Sequence, residues 1–250
     1  ADAAVGHLQG FIESLEELHE RMDLPNGDVM LREAIGVCGL ITPWNWPINQ
    51  IALKVIPALA TCCTCVLKPS EHTPVSAIVY AEIIHAAGYP AGVFNLVNGD
   101  GPTVGSCLSR HPDIQMISFT GSTRAGTAVT HDAAETVKRV TLELGGKAAH
   151  LVFEDAALDQ AVEGVVRGIF FNQGHVCCAG SRLLVQESVH DLFVRKLQRR
   201  MARIRVGDPL DKNTDMGAIH SAEQLQRIQG LVQAGVDEGA VLFQAKAALP

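Results

Sequence analysis

Short apolar runs alternate with segments of helical spacing from Thr64 onward. Residues 64–68 form a β-rich run that predicts a strand. A helix is expected next, because Thr73 and Pro74 suit a cap and first turn, and Gly88 suits a helix end. Its apolar positions share one helical face, the pattern of an amphipathic helix. These positions are Val75, Ile78, Val79, Ile83 and Ala86.

The same alternation continues along the chain. It predicts strands at residues 93–97, 114–119, 140–144, 150–153 and 182–186. It predicts helices at residues 102–109, 121–131, 158–172, 189–204 and 222–236. This succession is typical of β-α-β units, so the predicted fold class is α/β with a mostly parallel sheet. The pair Gly145-Gly146 interrupts the pattern and predicts two domains, residues 1–144 and 145–250.

Composition argues against several function classes. The 250 residues carry 20 basic and 27 acidic side chains, a net charge of −7, which disfavours nucleic-acid and anionic-membrane partners. The longest apolar run, residues 56–67, contains Pro57 and is far shorter than the ~20 residues of a membrane span. No signal peptide is visible after Ala1, and both chain ends resemble cuts in a longer protein.

The cysteines indicate free thiols and not a disulfide framework. Seven cysteines without regular spacing favour a reducing compartment, so we expect a cytoplasmic protein. Cys62, Cys63 and Cys65 include a CxxC pattern, but no second pair completes a zinc ligand set, and buried strand thiols are the simpler interpretation. No metal site is predicted.

Two segments could contact a nucleotide. The turn Phe119-Thr120-Gly121-Ser122 joins a predicted strand to a helix, where backbone N–H groups and the helix dipole can face a phosphate. Simple helix capping by Ser122 is the alternative. Lys68 ends a predicted strand and Glu71 follows, so both could reach the crevice beyond a parallel sheet. Exposed loop charges are the alternative for this pair.

Two further positions suggest catalysis. Cys177 and Cys178 follow a Gly-containing turn where a thiol could be exposed, and a thiolate attacks carbonyl carbon. Composition does not choose between them, and a Cys-His pair with His175 is an alternative. Glu143 ends an apolar strand, where burial would raise its pKa towards that of a general base. A partly exposed strand-end acid is the alternative.

Taken together, these segments resemble the aldehyde dehydrogenase family from about residue 36 to residue 239. The motifs that carry the resemblance occur in the family's order and spacing. They are Thr42-Pro43-Trp44-Asn45-Trp46-Pro47, Leu67-Lys68-Pro69-Ser70-Glu71, Phe119 to Ser122, Glu143-Leu144-Gly145-Gly146-Lys147, and Phe171-Asn172-Gln173-Gly174 leading to Cys177.

The resemblance implies a Rossmann-like cofactor-binding domain followed by part of an α/β catalytic domain. It implies Cys177 as the nucleophile, Glu143 as the general base, Asn45 as an oxyanion donor and Lys54 as an aid to the base. The cofactor contacts that it implies for NAD, with NADP as an alternative, are Thr42, Pro43, Trp44, Lys68, Ser70, Glu71, Gly101, Gly105, Phe119, Thr120, Gly121, Ser122, Leu144, Gly145 and Gln224.

The implied reaction is aldehyde oxidation to a carboxylic acid through a cysteine thiohemiacetal and thioester. A non-catalytic nucleotide-binding or assembly fragment, and a cofactor-independent thiol esterase, are the alternatives. The segment 26–34 resembles the family's extending hairpin, which implies a homo-oligomeric full-length form. The chain is about half the family's length, and its later Glu-x-Phe-Gly-Pro segment is not found. The aldehyde itself is not specified by these motifs.

Overall fold

The computed structural model describes residues 2–245, in which the chain forms two compact units separated after Gly145. The first unit contains a helix, a hairpin and a five-stranded sheet with its helices. Its strands are β1 (Arg21–Asp23), β2 (Val29–Leu31), β3 (Val37–Ile41), β4 (Thr64–Lys68), β5 (Phe94–Leu96), β6 (Met116–Gly121) and β7 (Arg139–Leu144). Its helices are α1 (Asp2–Glu16), α2 (Pro47–Ala60), α3 (Pro74–Ala86), α4 (Ser106–Arg110) and α5 (Thr123–Ala134).

The five strands of the sheet run parallel in the order β5-β4-β3-β6-β7. The chain progresses outward from β3 through β4 to β5, then returns to the other side of β3 with β6. The order therefore reverses between β3 and β6. In open α/β sheets, ligands bind outside the carboxyl ends of the strands at such a reversal.

Each face of the sheet carries its own apolar core, because side chains alternate along every strand. Helices α2 and α3 cover one face, the α2 face, where Cys38 and Leu40 of β3 are buried. Helices α4 and α5 cover the other, the α4 face, where Ile41 and Phe119 are buried. Gly39 points to the α4 face, where an added Cβ would lie 2.5 Å from Ile117 Cδ1. Glycine thus permits the close packing at this point of β3.

The second unit is a smaller β-α-β arrangement followed by further helices. Strand β8 (Ala149–Val152) pairs in parallel with β9 (Arg182–Val185). The connecting helix α6 (Leu158–Phe170) packs against α7 (Glu187–Met201) around Val162 and Phe193. Helix α8 (Ala222–Asp237) follows.

The α/β class and the parallel sheet confirm the fold predicted from the sequence. Every predicted strand and helix from residue 64 onward is present, with ends shifted by a few residues. The hairpin begins earlier than the predicted segment 26–34, with β1 at Arg21–Asp23 and β2 at Val29–Leu31. The sequence patterns did not identify α1, α2 and β3. Helix α2 was obscured by Pro57 in its interior, since proline normally breaks a helical pattern.

The expected face of α3 was wrong as a guide to packing. Its apolar residues Val75 and Ile83 are 69% and 56% exposed, whereas Ala77, Tyr80 and Ile84 pack on the core. The helix is apolar on several sides, so its periodicity does not single out one face. Thr73 occupies the N-cap position, but no described residue donates a capping hydrogen bond to its side chain.

Candidate functional site

The carboxyl ends of β3, β4, β6 and β7 bring the predicted residues of the first unit to one edge of the sheet. Ile41 pairs with Lys68 on one side and with Phe119 on the other. Thr120 pairs with Glu143. These residues are as many as 102 positions apart in the sequence, from Ile41 to Glu143. The parallel register brings them to the edge of the sheet where the strand order reverses.

Two buried hydroxyls lie at this edge without protein partners. Thr42 directly follows β3 and Thr120 lies near the end of β6, with 3% and 8% of their surfaces exposed. Within residues 2–245, neither Oγ1 atom has a hydrogen-bond partner. Buried polar groups nearly always have a hydrogen-bond partner. Two buried hydroxyls without one, at the edge where such sheets bind ligands, therefore indicate a site for a polar ligand.

A cation and a carboxylate stand on the β4 side of the edge. Lys68 is buried, and its Nζ lies 3.1 Å from Glu71 Oε2. Burial acts to raise the pKa of Glu71, but its own backbone N–H and the hydrogen bond and charge of Lys68 lower it. Ser70 is buried, and its Oγ accepts from His72 N at 3.3 Å. Glu71 is thus a half-exposed carboxylate beside the buried side chain of Lys68.

The β6–α5 turn has a capped and closely packed geometry. Ser122 is the N-cap of α5, and its Oγ accepts from Ala125 N at 3.2 Å. The capping interpretation of this side chain is thus confirmed. At Gly121 an added Cβ would lie 2.5 Å from Cζ of Phe119, whose ring is buried on the α4 face. The backbone N–H groups of the first turn of α5 lie at the sheet edge, as a phosphate-binding turn requires.

Other predicted cofactor contacts surround this edge. Gly101 and Gly105 bound a short π-helical segment, in which Gly101 faces open space and Gly105 is buried. Leu144 packs against Gly126, where an added Cβ would lie 2.8 Å from Leu144 Cδ2. Pro43, Trp44 and Asn45 lie half-buried in the loop between β3 and α2, and Gly145 follows β7 in an exposed position.

The side chain of Lys54, in α2, lies against the α2 face of the sheet. Its Nζ donates to Ser118 Oγ at 2.7 Å, and its side chain is buried. Burial lowers the pKa of Lys54 to about 8, with the charge of Glu143 acting in the opposite direction. Ser118 was not singled out by the sequence motifs. Its signal lies in the alternation of β6, which places Ser118 and Thr120 on the α2 face.

Of the two interpretations of Glu143, burial is wrong and the exposed strand-end acid is confirmed. Glu143 is exposed on β7, which is the edge strand of the first unit's sheet. Its register opposite Thr120 nevertheless places it on the α2 face, where its charge raises the pKa of Lys54. The strand-end acid is therefore an accessible carboxylate near a buried ammonium.

The candidate nucleophile lies in a tightly turned loop of the second unit. After α6, Asn172, Gln173 and Gly174 have φ values of 49°, 54° and 75°, three consecutive left-handed conformations. Such conformations cost about 1 kcal/mol or more at non-glycine residues and concentrate at functional sites. Asn172 Nδ2 donates to His175 O at 3.3 Å, which closes the turn ahead of Cys177.

Both loop cysteines are free and exposed. Burial and the neighbouring Cys178 raise the pKa of Cys177, while the backbone N–H groups of both cysteines oppose that rise. His175 is not among the groups that shift Cys177, and its own pKa is lowered by burial and by His220. Gln224 lies half-buried in the first turn of α8, where its N–H donates to Ser221 Oγ at 3.1 Å.

Within residues 2–245, no group of three or more His, Cys, Asp or Glu side chains could hold a metal ion. Cys62 is exposed, whereas Cys63 and Cys65 are buried as free thiols, in keeping with the strand-thiol interpretation. In the same range, every helix is too short or too polar to cross a membrane.

Comparison with known proteins places the chain in a family. Its sequence matches the Aldehyde dehydrogenase family profile over residues 1–248. The chain belongs to the aldehyde dehydrogenase family. It is 50% identical over 243 residues to 3-succinoylsemialdehyde-pyridine dehydrogenase from a Pseudomonas species, covering 97% of this chain and 51% of that protein.

Solved aldehyde dehydrogenases share the fold. The enzyme from Bartonella henselae is 47% identical with a TM-score of 0.95, and the match covers 100% of this chain and 53% of that one. A variant of aldehyde dehydrogenase C from Pseudomonas syringae, solved with NAD+ and octanal, is 45% identical with a TM-score of 0.92, covering 96% and 49%. The chain thus spans about half the length of the aldehyde dehydrogenases it matches.

Proposed function

We propose that the full-length protein oxidises an aldehyde to a carboxylic acid with NAD+. The observation that carries this proposal is the exposed Cys177 thiol, which the strained Asn172–Gly174 loop presents in a chain that matches the aldehyde dehydrogenase family almost throughout. The NAD+ and octanal bound by the Pseudomonas syringae relative support the same chemistry.

The dinucleotide is assigned to the edge of the sheet between β3 and β6. The unsatisfied hydroxyls of Thr42 and Thr120 and the ammonium of Lys68 fit a polar, anionic ligand, and the first turn of α5 offers N–H groups to a phosphate. Glu71 would accept from a ribose 2′-hydroxyl and repel a 2′-phosphate, so the preferred dinucleotide is NAD. The other predicted contacts, including Gln224, remain predictions.

The chain's own residues carry the covalent steps. The Cys177 sulfur attacks the aldehyde carbon, and the resulting oxyanion accepts hydrogen bonds from the Asn45 amide and the Cys177 backbone N–H. NAD+, when bound, supplies the acceptor for the hydride that leaves this carbon. Glu143 then takes a proton from the water that attacks the thioester. The Cys177 thiolate leaves, and the carboxylic acid is released. Lys54 is assigned to support of the base.

The test is NADH formation by the full-length protein with a panel of short and aromatic aldehydes, with NAD+ and NADP+ supplied separately. Cys177→Ser should lower kcat by about a thousandfold or more, because the alcohol is a far weaker nucleophile than the thiolate. Cys178→Ser, one position along the same exposed loop, is the matched control and should retain acyl-enzyme formation.

Three outcomes would overturn the proposal. Equal loss in both variants would contradict the assignment of Cys177. Ester hydrolysis that needs no dinucleotide, without NADH formation, would support the thiol esterase. Dinucleotide binding without turnover of any aldehyde would support a binding or assembly protein.

The assembly and location of the full-length protein belong to the same proposal. The β1–β2 hairpin exposes Val29 and Leu31, at 44% and 60%, and a two-stranded ribbon has open edges that pair readily with another chain. A homo-oligomer is therefore proposed. All seven cysteines are free thiols, which favours the cytoplasm.

A further inference from the structure

Asn49 carries a buried polar atom that the proposed reaction does not use. It lies in the first turn of α2 and is half-buried, but its Oδ1 atom is shielded from solvent. Within residues 2–245, this oxygen has no hydrogen-bond partner. The Thr42 and Thr120 hydroxyls share this property and are assigned to the dinucleotide, whereas no sequence motif singled out Asn49. The Asn49 amide therefore requires a partner of its own.

A buried amide oxygen without a hydrogen bond is costly in a native protein. Its transfer from water into a site without a donor is unfavourable, and buried polar groups nearly always have partners. Leucine has nearly the same shape as asparagine and carries no such cost, so packing alone would favour leucine at this position. The amide oxygen of Asn49 therefore indicates a hydrogen-bond donor that binds there in the working protein.

Asn49 lies at the ligand-binding edge of the sheet. Helix α2 follows the loop after β3, so its first turn lies beside the carboxyl ends of the strands. The same loop contains Asn45, to which the aldehyde oxyanion is assigned. The Trp46 carbonyl accepts from Gln50 N at 2.9 Å, which begins the helical turn that contains Asn49. The Asn49 amide is therefore held on a regular helix, four residues from the group proposed to bind the aldehyde oxygen.

The side of α2 that carries Asn49 faces away from the sheet. Ile51, Val55 and Ala58 are buried in the core of the α2 face. At 3.6 residues per turn, these three residues lie about 180–240° around the helix from Asn49. The groups assigned to the dinucleotide lie on or beside the ends of the strands instead. This separation favours the aldehyde substrate over the dinucleotide as the partner of Asn49.

We propose that Asn49 is a specificity-determining residue, whose amide oxygen accepts a hydrogen bond from an O–H or N–H group of the aldehyde substrate. This inference rests on the proposed aldehyde oxidation. It assigns the substrate to the hydroxy or amino aldehydes, because an amide oxygen only accepts and its ligand must donate. Asn49 stabilises the bound substrate and the transition state alike, so its effect is expected mainly in KM.

The test compares kcat/KM of the full-length protein for pairs of aldehydes in which a hydroxyl or amino group replaces a methyl group. The pairs are glycolaldehyde with propanal, 3-aminopropanal with butanal, and meta-hydroxybenzaldehyde with meta-tolualdehyde. We expect the donor-bearing member of at least one pair to be preferred. Asn49→Leu should lower that preference by about tenfold, because one hydrogen bond is lost at nearly constant shape. The preference is a ratio, so it does not depend on the fraction of folded enzyme.

Asn95→Leu is the matched control, because it makes the same substitution at an amide that has partners. Asn95 Nδ2 donates to Cys65 O at 3.3 Å and to Gly92 O at 2.8 Å. The control should leave the substrate preference unchanged and lower the urea midpoint of the unliganded protein, since both carbonyls lose this donor. Asn49→Leu should leave that midpoint unchanged or raise it, since its amide oxygen has no partner to lose.

Three results would overturn the inference while leaving the proposed function intact. The first is NADH formation with an unchanged preference in Asn49→Leu, or with no preference for any donor-bearing aldehyde. The second is a urea midpoint lowered as far as in Asn95→Leu, which would show that the full-length protein already bonds to the amide oxygen. The third is weaker NAD+ binding by Asn49→Leu in calorimetry without aldehyde. Absence of NADH formation with every aldehyde would instead contradict the proposed function, and this inference with it.

Discussion

At Lys54, burial and charge oppose each other. The ammonium is buried on the α2 face, which lowers its pKa to about 8, and Ser118 Oγ accepts a hydrogen bond from Lys54 Nζ at 2.7 Å. A buried charge is tolerated only when hydrogen bonds replace its lost hydration. Ser118 therefore does for Lys54 what water would do at the surface, and it fixes the ammonium near Glu143.

Ser118→Ala tests this role through stability. Because a buried cation would lose its acceptor, the variant should lower the free energy of unfolding of the full-length protein by about 2 kcal/mol below pH 8. The loss should shrink as pH rises through 8, since Lys54 is then neutral in the folded protein. Urea unfolding across this range measures both effects.

Ser109→Ala is the matched control for that experiment. Ser109 is fully buried, and its hydroxyl donates to the neutral Gly105 carbonyl at 2.8 Å. Its loss should cost stability by an amount that does not change between neutral pH and values above 8. The same pH dependence in both variants would contradict the assignment of Ser118 to Lys54.

At the scale of elements, the junction of β6 and α5 is held in place both by side-chain packing in the core and by the turn that joins the strand to the helix. The Phe119 ring is buried on the α4 face and lies directly under Gly121. Ser122 caps the helix that follows. The N–H groups offered to a phosphate are thus held between a rigid ring and a capped helix.

Gly121→Ala should destabilise this junction. Its Cβ would lie 2.5 Å from Phe119 Cζ, so the ring must move within a packed core, at a cost of about 1–3 kcal/mol. Gly101→Ala, at a glycine that faces open space, should change stability by less than about 0.5 kcal/mol. Equal small effects in thermal or urea unfolding would show that the ring moves freely.

For the whole molecule, the buried acids of the first unit determine how stability responds to alkali. Burial, first among the causes, raises the pKa of Cys38, Cys65 and Tyr80 to about 12. These groups therefore lose their protons at lower pH in the unfolded chain than in the folded one. Their contribution to stability is therefore complete below pH 9.0 and is lost as pH rises towards 12.

Stability should fall steeply above pH 10.5, because Lys54, with its lowered pKa, adds an opposing gain only between about 8 and 10.5. Cys65→Val should reduce the alkaline slope by about 1.4 kcal/mol per pH unit, the value for one proton. Cys107→Ser, at an exposed position, is the control and should leave the slope unchanged. Urea unfolding between neutral and alkaline pH measures the slopes, and an unchanged slope in Cys65→Val would refute the prediction.

The sequence by itself determined the succession of elements and the order of the motifs. Strand and helix periods are local properties, so β4, α3 and β6 could be predicted from spacing alone. The exposed loop at Cys177 was also predictable, because a glycine turn after a helix is a local signal. The family resemblance then assigned roles that no single motif carried.

Only the tertiary structure decided which residues meet. The register of β6 against β7 places Thr120 beside Glu143, and the helix α2, hidden in the sequence by Pro57, brings Lys54 to Ser118. The sequence left burial and exposure of Glu143 as alternatives, and the edge position of β7 decides for exposure. Periodicity fixes the spacing within an element, whereas pairing and coverage depend on contacts between residues far apart in the chain.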